Sequence, residues 1–249
     1  MKSLLLVTAA AVAFAAAPAM AQDGLVGSVG ATYGNTEFDL GGPTADSDVY
    51  GIDGVVAMPA FGAWTVTLAG SASEFDEGDS DTTFAGAAHL TTVVNSDLRL
   101  GGFVGAADIA DETALTAGVE VQKYLSRATL TGVLAYTSAD DVDLAAWTVG
   151  GDAAFYVTDA LRLNAGVSWL TIDDADADGF TYSAGAEYEI ARSPFSVTAG
   201  YAHTDIEDLD IDTWTLGLRY SFGGGLQARD RAGASLGADS GVLSLLGAL

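Results

Sequence analysis

Over 214–222 the side chains fall into two rows. Trp214, Leu216, Leu218, Tyr220 and Phe222 make one, and Thr215, Gly217, Arg219 and Ser221 make the other. A period of two is the mark of a strand, because successive side chains point to opposite faces of a sheet. One face here is wholly apolar with aromatic ends; the other is small, polar or charged. Twelve segments carry the pattern: 24–34, 48–58, 63–74, 82–93, 98–107, 113–124, 128–137, 144–157, 161–171, 180–190, 195–203 and 213–222. Each is near the roughly 9–11 residues that a tilted strand needs to cross a bilayer. The fold this predicts is an all-β, antiparallel up-and-down transmembrane barrel of twelve strands, with lipid outside and polar side chains within.

The connections alternate in character. Pro59–Gly62, Val94–Asp97, Leu125–Arg127, Thr158–Ala160 and Ala191–Pro194 are short, whereas Asn35–Ser47, Phe75–Asp81, Asp108–Glu112, Ser138–Asp143, Ile172–Gly179 and Thr204–Asp212 are mostly longer and rich in acid. Short periplasmic turns and longer acidic extracellular loops are the expected reading, and an even strand count puts both barrel termini in the periplasm. Aromatic residues mark both ends of the strands as two belts: Tyr33, Tyr50, Tyr136, Trp147, Tyr201 and Trp214 at the outer level, and Phe61, Trp64, Tyr124, Phe155, Tyr188, Phe195 and Tyr220 at the inner.

Charge sharpens this picture. Nine basic residues stand against 34 acidic ones, for a net charge of −25. That excludes nucleic-acid binding through a basic patch. The acids concentrate at the outer ends, while Arg99, Lys123, Arg127, Arg162, Arg192 and Arg219 lie on or near the periplasmic end. Cysteine is absent, which removes disulfide and thiolate chemistry. Lys2, an apolar run over 4–17 and Ala19-Met20-Ala21 read as a secretion signal cleaved after Ala21. The expected organisation is a signal peptide (1–21), a barrel (22–222) and a periplasmic C-terminal extension (223–249). That extension opens with Gly223-Gly224-Gly225, and three readings stay open for it: a loosely docked segment, a periplasmic contact or a plug in the lumen.

The chain resembles the porin-like β-barrels of Gram-negative outer membranes over residues 22–222. The resemblance rests on the signal, the alternating strands, the turn-and-strand unit 156–166 and the closing strand ending in Phe222. It implies an integral outer-membrane location. In that superfamily a terminal aromatic strand is the signal read by the assembly machinery; here 27 further residues, 223–249, follow it. No functional residue carries over from an architecture.

Candidate chemistry therefore comes from the inward row. Asp53, Arg99, Glu120, Asp152, Arg162, Glu187, Glu189 and Arg219 project into the lumen as pore-lining residues. Folding the ninth and tenth strands together sets Arg162 opposite Glu189, and Arg99 falls near Glu120 and Gln122. Opposite charges across a ladder can lock a narrow barrel internally and can set a field on a passing solute, and the two are compatible. Glycines along the same row are expected to leave volume free. The two histidines give little for catalysis: His89 reads as a lumen hydrogen-bonder and His203 as a rim residue, so no enzyme is expected. Asp174, Asp176 and Asp178 match the first half of a calcium loop, but Gly185 stands where its closing glutamate belongs. Weak calcium or magnesium binding at the outer loops is the corresponding expectation, with no other cofactor. Expected partners are outer-membrane lipid, lipopolysaccharide and small hydrophilic solutes, and oligomerisation is open. Two functions compete: a narrow, weakly cation-preferring diffusion channel, and a non-conducting barrel that meets cations, lipid or host surfaces through its acidic loops.

Overall fold

A computed structural model describes residues 24–42, 44–76, 82–109, 112–139, 144–173, 177–207 and 209–236. Twelve antiparallel strands close into one barrel, each hydrogen-bonded to its neighbours in sequence, and β1 pairs with β12 to complete the ring. The strands are β1 (Val26–Asp39), β2 (Ala45–Pro59), β3 (Trp64–Phe75), β4 (Thr82–Asn95), β5 (Leu98–Ile109), β6 (Glu112–Tyr124), β7 (Ala128–Ala139), β8 (Leu144–Thr158), β9 (Leu161–Ile172), β10 (Ala177–Glu189), β11 (Phe195–Ile206) and β12 (Leu209–Phe222). Closure leaves no strand edge, so every ladder group inside a membrane has a protein partner.

The strands run further into the acidic segments than the hydrophobic alternation predicts. β11 continues to Ile206 and β12 begins at Leu209, and β1 reaches Asp39. The reason is physical. The apolar row ends where lipid ends, but backbone pairing continues in water, where acidic side chains are freely solvated on either face.

The outward row is exposed as expected, including Leu134, Val149, Leu163, Val167, Trp169, Leu216 and Leu218. Belt aromatics meet across the ladder: Tyr33 with Tyr50 at 5.5 Å, Tyr136 with Trp147 at 5.1 Å and Tyr201 with Trp214 at 4.4 Å between ring centroids. Such cross-strand pairs are the packing unit of a sheet. Tyr124 is an exception. It is buried and points inward, because it shares the parity of Glu120 and Gln122 on β6.

After Phe222 the chain turns back. Gly223 and Gly224 hold φ at +85° and +138°, a left-handed conformation that glycine adopts without strain. A Cβ at Gly223 would also lie 2.5 Å from the Val26 side chain. A single helical turn, α1 (Leu226–Arg229), and a π-helical turn (Asp230–Ala234) follow. Leu226 packs on Ala154 and Tyr156, and Ala234 on Val26, Val55 and Ala57. All five of these barrel residues belong to the inward row, so the segment 226–236 lies within the barrel at the end where the chain leaves it.

A candidate lumen constriction

Glu187 is the centre of the inward charges. It stands directly across the ladder from Arg162, and their side chains approach to 3.8 Å. Arg219 comes within 3.9 Å and Arg229, from the returning segment, within 3.3 Å, while the Ser196 hydroxyl donates to the carboxylate at 2.7 Å. Three guanidiniums thus converge on one buried carboxylate. The expectation that Arg162 faces Glu189 is corrected here. Ile172 pairs with Ala177, so the β9–β10 hairpin is tighter than the predicted 172–179 loop and the register moves by two residues. A two-residue shift keeps every side chain on its face and changes only its partner. Glu189 instead accepts from Arg229 at 2.6 Å.

Asp53 and Arg219 meet by a different device. Gly30 lies between them in the sheet, paired with Arg219 on one side and Asp53 on the other. With no side chain at Gly30, the Arg219 guanidinium crosses it to donate to Asp53 at 2.9 Å. A Cβ there would stand 2.5 Å from the Asp53 carboxylate. The same pairing of glycine with a larger inward residue recurs at Gly118–Phe103, Gly185–Asn164 and Gly217–Thr198. The expectation that inward glycines leave volume free is therefore corrected at these positions: each is covered by the side chain across the ladder, which lies flat along the wall.

Arg99 has neutral partners. It donates to the Tyr124 hydroxyl at 2.7 Å, to Thr91 at 2.8 Å and to the Arg231 carbonyl at 2.7 Å. Tyr124 passes the chain on to Gln122, opposite Arg99 in the ladder, and Gln122 donates to Ser235 at 3.1 Å. Glu120 is buried and takes His89 as its partner at 3.1 Å, with the imidazole stacked on Phe103 at 5.2 Å. Asp152 is half-buried opposite Gly166 on β9, toward the acidic end from Arg162. Asp178 is an exposed residue of β10 paired with Thr171, and Asp174 and Asp176 lie outside the described residues.

His203 is on the outward row. It is stacked on Tyr182 at 4.9 Å and bound to Asp212 at 3.0 Å. Asp212 also accepts from the Tyr201 hydroxyl. This acid–histidine pair faces outward at the rim, on the opposite face from the lumen.

The residues that the inward row by itself did not single out are Tyr124, Tyr156, Arg229 and Asp230. Asp230 accepts from the hydroxyls of Thr129 and Tyr156 and from Ser235. Parity with Glu120 and with Asp152 marks Tyr124 and Tyr156 as inward. Nothing in the periodicity places Arg229 or Asp230, because both follow the last strand. Beside them a cavity of about 20 Å³, room for one water, is bounded by Arg162, Glu187, Arg219, Arg229 and Asp230.

A closed twelve-strand barrel with an apolar, aromatic-belted exterior and charges held inside has one setting. Residues 7–222 match the outer membrane protein beta-barrel domain family. The chain belongs to that family. It is an integral outer-membrane protein, in line with the resemblance read from its strands. No curated protein matches the chain. Among solved structures, the NanC porin shares the fold at TM-score 0.61 and 6% identity, over 78% of this chain and 100% of that one. The KdgM porin in complex with disordered oligogalacturonate matches at 0.56 and 7%, over 78% and 99%. The translocator domain of the autotransporter NalP from Neisseria meningitidis matches at 0.56 and 13%, over 89% and 98%. At these identities the likeness is one of fold.

Proposed function

We infer that this outer-membrane barrel is a narrow channel for passive diffusion of small hydrophilic solutes, with a weak preference for cations and no catalytic role. One observation carries the reading: eight ionisable residues of the inward row, from Asp53 to Arg219, stand inside a membrane-embedded barrel, most of them at the end where the chain leaves it. Ionisable groups at membrane depth are costly and mark solute and ion pathways. In the proposed orientation that end is periplasmic and the acidic end faces outward. Carboxylates outnumber guanidiniums along the path, which favours cations entering it. The porins among the fold neighbours lend support to the channel class.

The test is planar-bilayer conductance of the refolded protein under a salt gradient. Discrete steps with cation preference at low salt are expected. That preference should fade toward 1 M, where the Debye length falls to about 3 Å. Anion preference at low salt would overturn the electrostatic part. A second reading, a non-conducting structural or surface-binding barrel, draws on the segment 226–236 that occupies the lumen. Silence that persists when this segment is displaced hands the protein to that second reading.

A further inference from the structure

The segment 226–236 reaches the barrel wall on many sides at once. Arg229 binds Glu187 and Glu189 on β10, and Asp230 binds Thr129 on β7 and Tyr156 on β8. The Arg231 carbonyl accepts from Arg99 on β5, and the Gly233 carbonyl from Thr67 on β3 at 3.1 Å. Ala234 closes against β1 and β2. One short stretch of chain therefore bridges the lumen in cross-section, and it does so by polar contacts of opposite sign at two adjacent residues. A guanidinium is held by two carboxylates, and a carboxylate by two hydroxyls of the wall.

Both sockets are made by barrel residues: Glu187, Thr129, Tyr156, Arg229 and Asp230 each expose less than a tenth of their surface, and Glu189 is half-buried. Gly233 adapts the segment to this seat. Its φ is +100°, and a Cβ would lie 3.0 Å from the Arg99 guanidinium and 3.2 Å from the Thr67 hydroxyl. The joint at Gly223–Gly225 tethers the segment without a strand holding it.

We propose that residues 226–236 are a tethered plug of this channel, and that the sockets holding Arg229 and Asp230 are its solute site, suited to a small molecule with a guanidinium at one end and a carboxylate at the other. Plug and solute compete for the same groups. The proposal rests on the channel reading above. A solute of this class presents Glu187 and Glu189 with the charge they now take from Arg229, so both carboxylates stay compensated as the plug leaves. An anionic solute does not, since its arrival would leave them facing like charge.

The full chain has no cysteine, so Ser235→Cys gives a single thiol on the plug that a membrane-impermeant maleimide can report. Conductance and labelling are measured together, with and without Arg229→Glu, which turns a carboxylate toward Glu187 and Glu189. A heat-dependent gel shift and β-type circular dichroism check that each barrel has folded. The expected result is slow labelling and brief, sparse openings with Arg229 present. Arg229→Glu should raise labelling at least tenfold, prolong the openings, and make the current sensitive to interruption by L-arginine but not by L-glutamate. Labelling and openings that are the same with Arg229 or Glu at this position overturn the plug. Long openings that arginine and glutamate interrupt equally, or not at all, overturn the solute site. Fast labelling of a folded, silent Arg229→Glu barrel overturns the channel reading itself, and the plug with it.

Discussion

The two halves of the lumen are built from the same alternation and hold together differently. Toward the acidic end, inward side chains find partners next door in the wall. Thr116 bonds to Thr137 at 2.8 Å and Thr181 to Thr204 at 2.9 Å, both directly across one ladder. Phe103, Ala107, Ala114, Val133, Ala135 and Ala139 form an apolar patch over three adjacent strands. Toward the other end wall residues also take partners two strands away, as Asp53 does from Arg219, and from the returning segment, as Glu187, Glu189, Thr129 and Tyr156 do. A wall satisfied locally stays as it is whatever occupies the lumen. A wall satisfied by a distant segment is coupled to that segment. The inward row can therefore carry a rigid mouth and a responsive constriction in one barrel, with the difference set by where the partners come from.

Substitutions that separate these two interiors should fall in a definite order when read as denaturant or thermal unfolding of the folded barrel in detergent or lipid. Glu187→Ala comes first. It leaves Arg162, Arg219 and Arg229 facing one another in a buried site, and removing one partner of a buried ionic cluster costs about 3–5 kcal/mol. A loss under about 1 kcal/mol would mean that the guanidiniums reach water and that this half is no more tightly interlocked than the other.

Gly30→Ala comes second. The added methyl displaces the Asp53 carboxylate from Arg219 while leaving both charges in place, with an expected loss of about 1.5 kcal/mol, the lower range for a charge-assisted hydrogen bond. Arg219→Gln should then add little in a Gly30→Ala background compared with its effect in the parent, and full additivity would show that the two residues are not coupled through Gly30. Thr137→Val is the smallest of the three. It removes one neutral bond with Thr116, costs about 1 kcal/mol, and should leave conductance and plug labelling unchanged because its partner is in the wall. A change in either readout would show that the two halves communicate.

Much of the barrel was legible in the chain. Strand number, the outward row and the inward facing of Glu120, Arg162, Glu187 and Arg219 follow from a period of two, because one face meets lipid and the other does not. Aromatic character places Tyr124 in the inner belt, yet its parity with Gln122 turns it inward, and the period is the stronger signal. Parity also left the pairing of Arg162 free between Glu187 and Glu189, since both carboxylates lie on the same face.

Local alternation against lipid thus specifies a membrane barrel, its two faces and the residue types along each. Which charges touch depends instead on register and on long-range packing. The register of β9 on β10 depends on how tightly the hairpin closes, and Gly30 matters only once β1 lies between β2 and β12. The placement of Arg229 and Asp230 depends on a glycine joint that returns the chain into the lumen. These are contacts between residues as many as 166 positions apart, and no period along the chain encodes them.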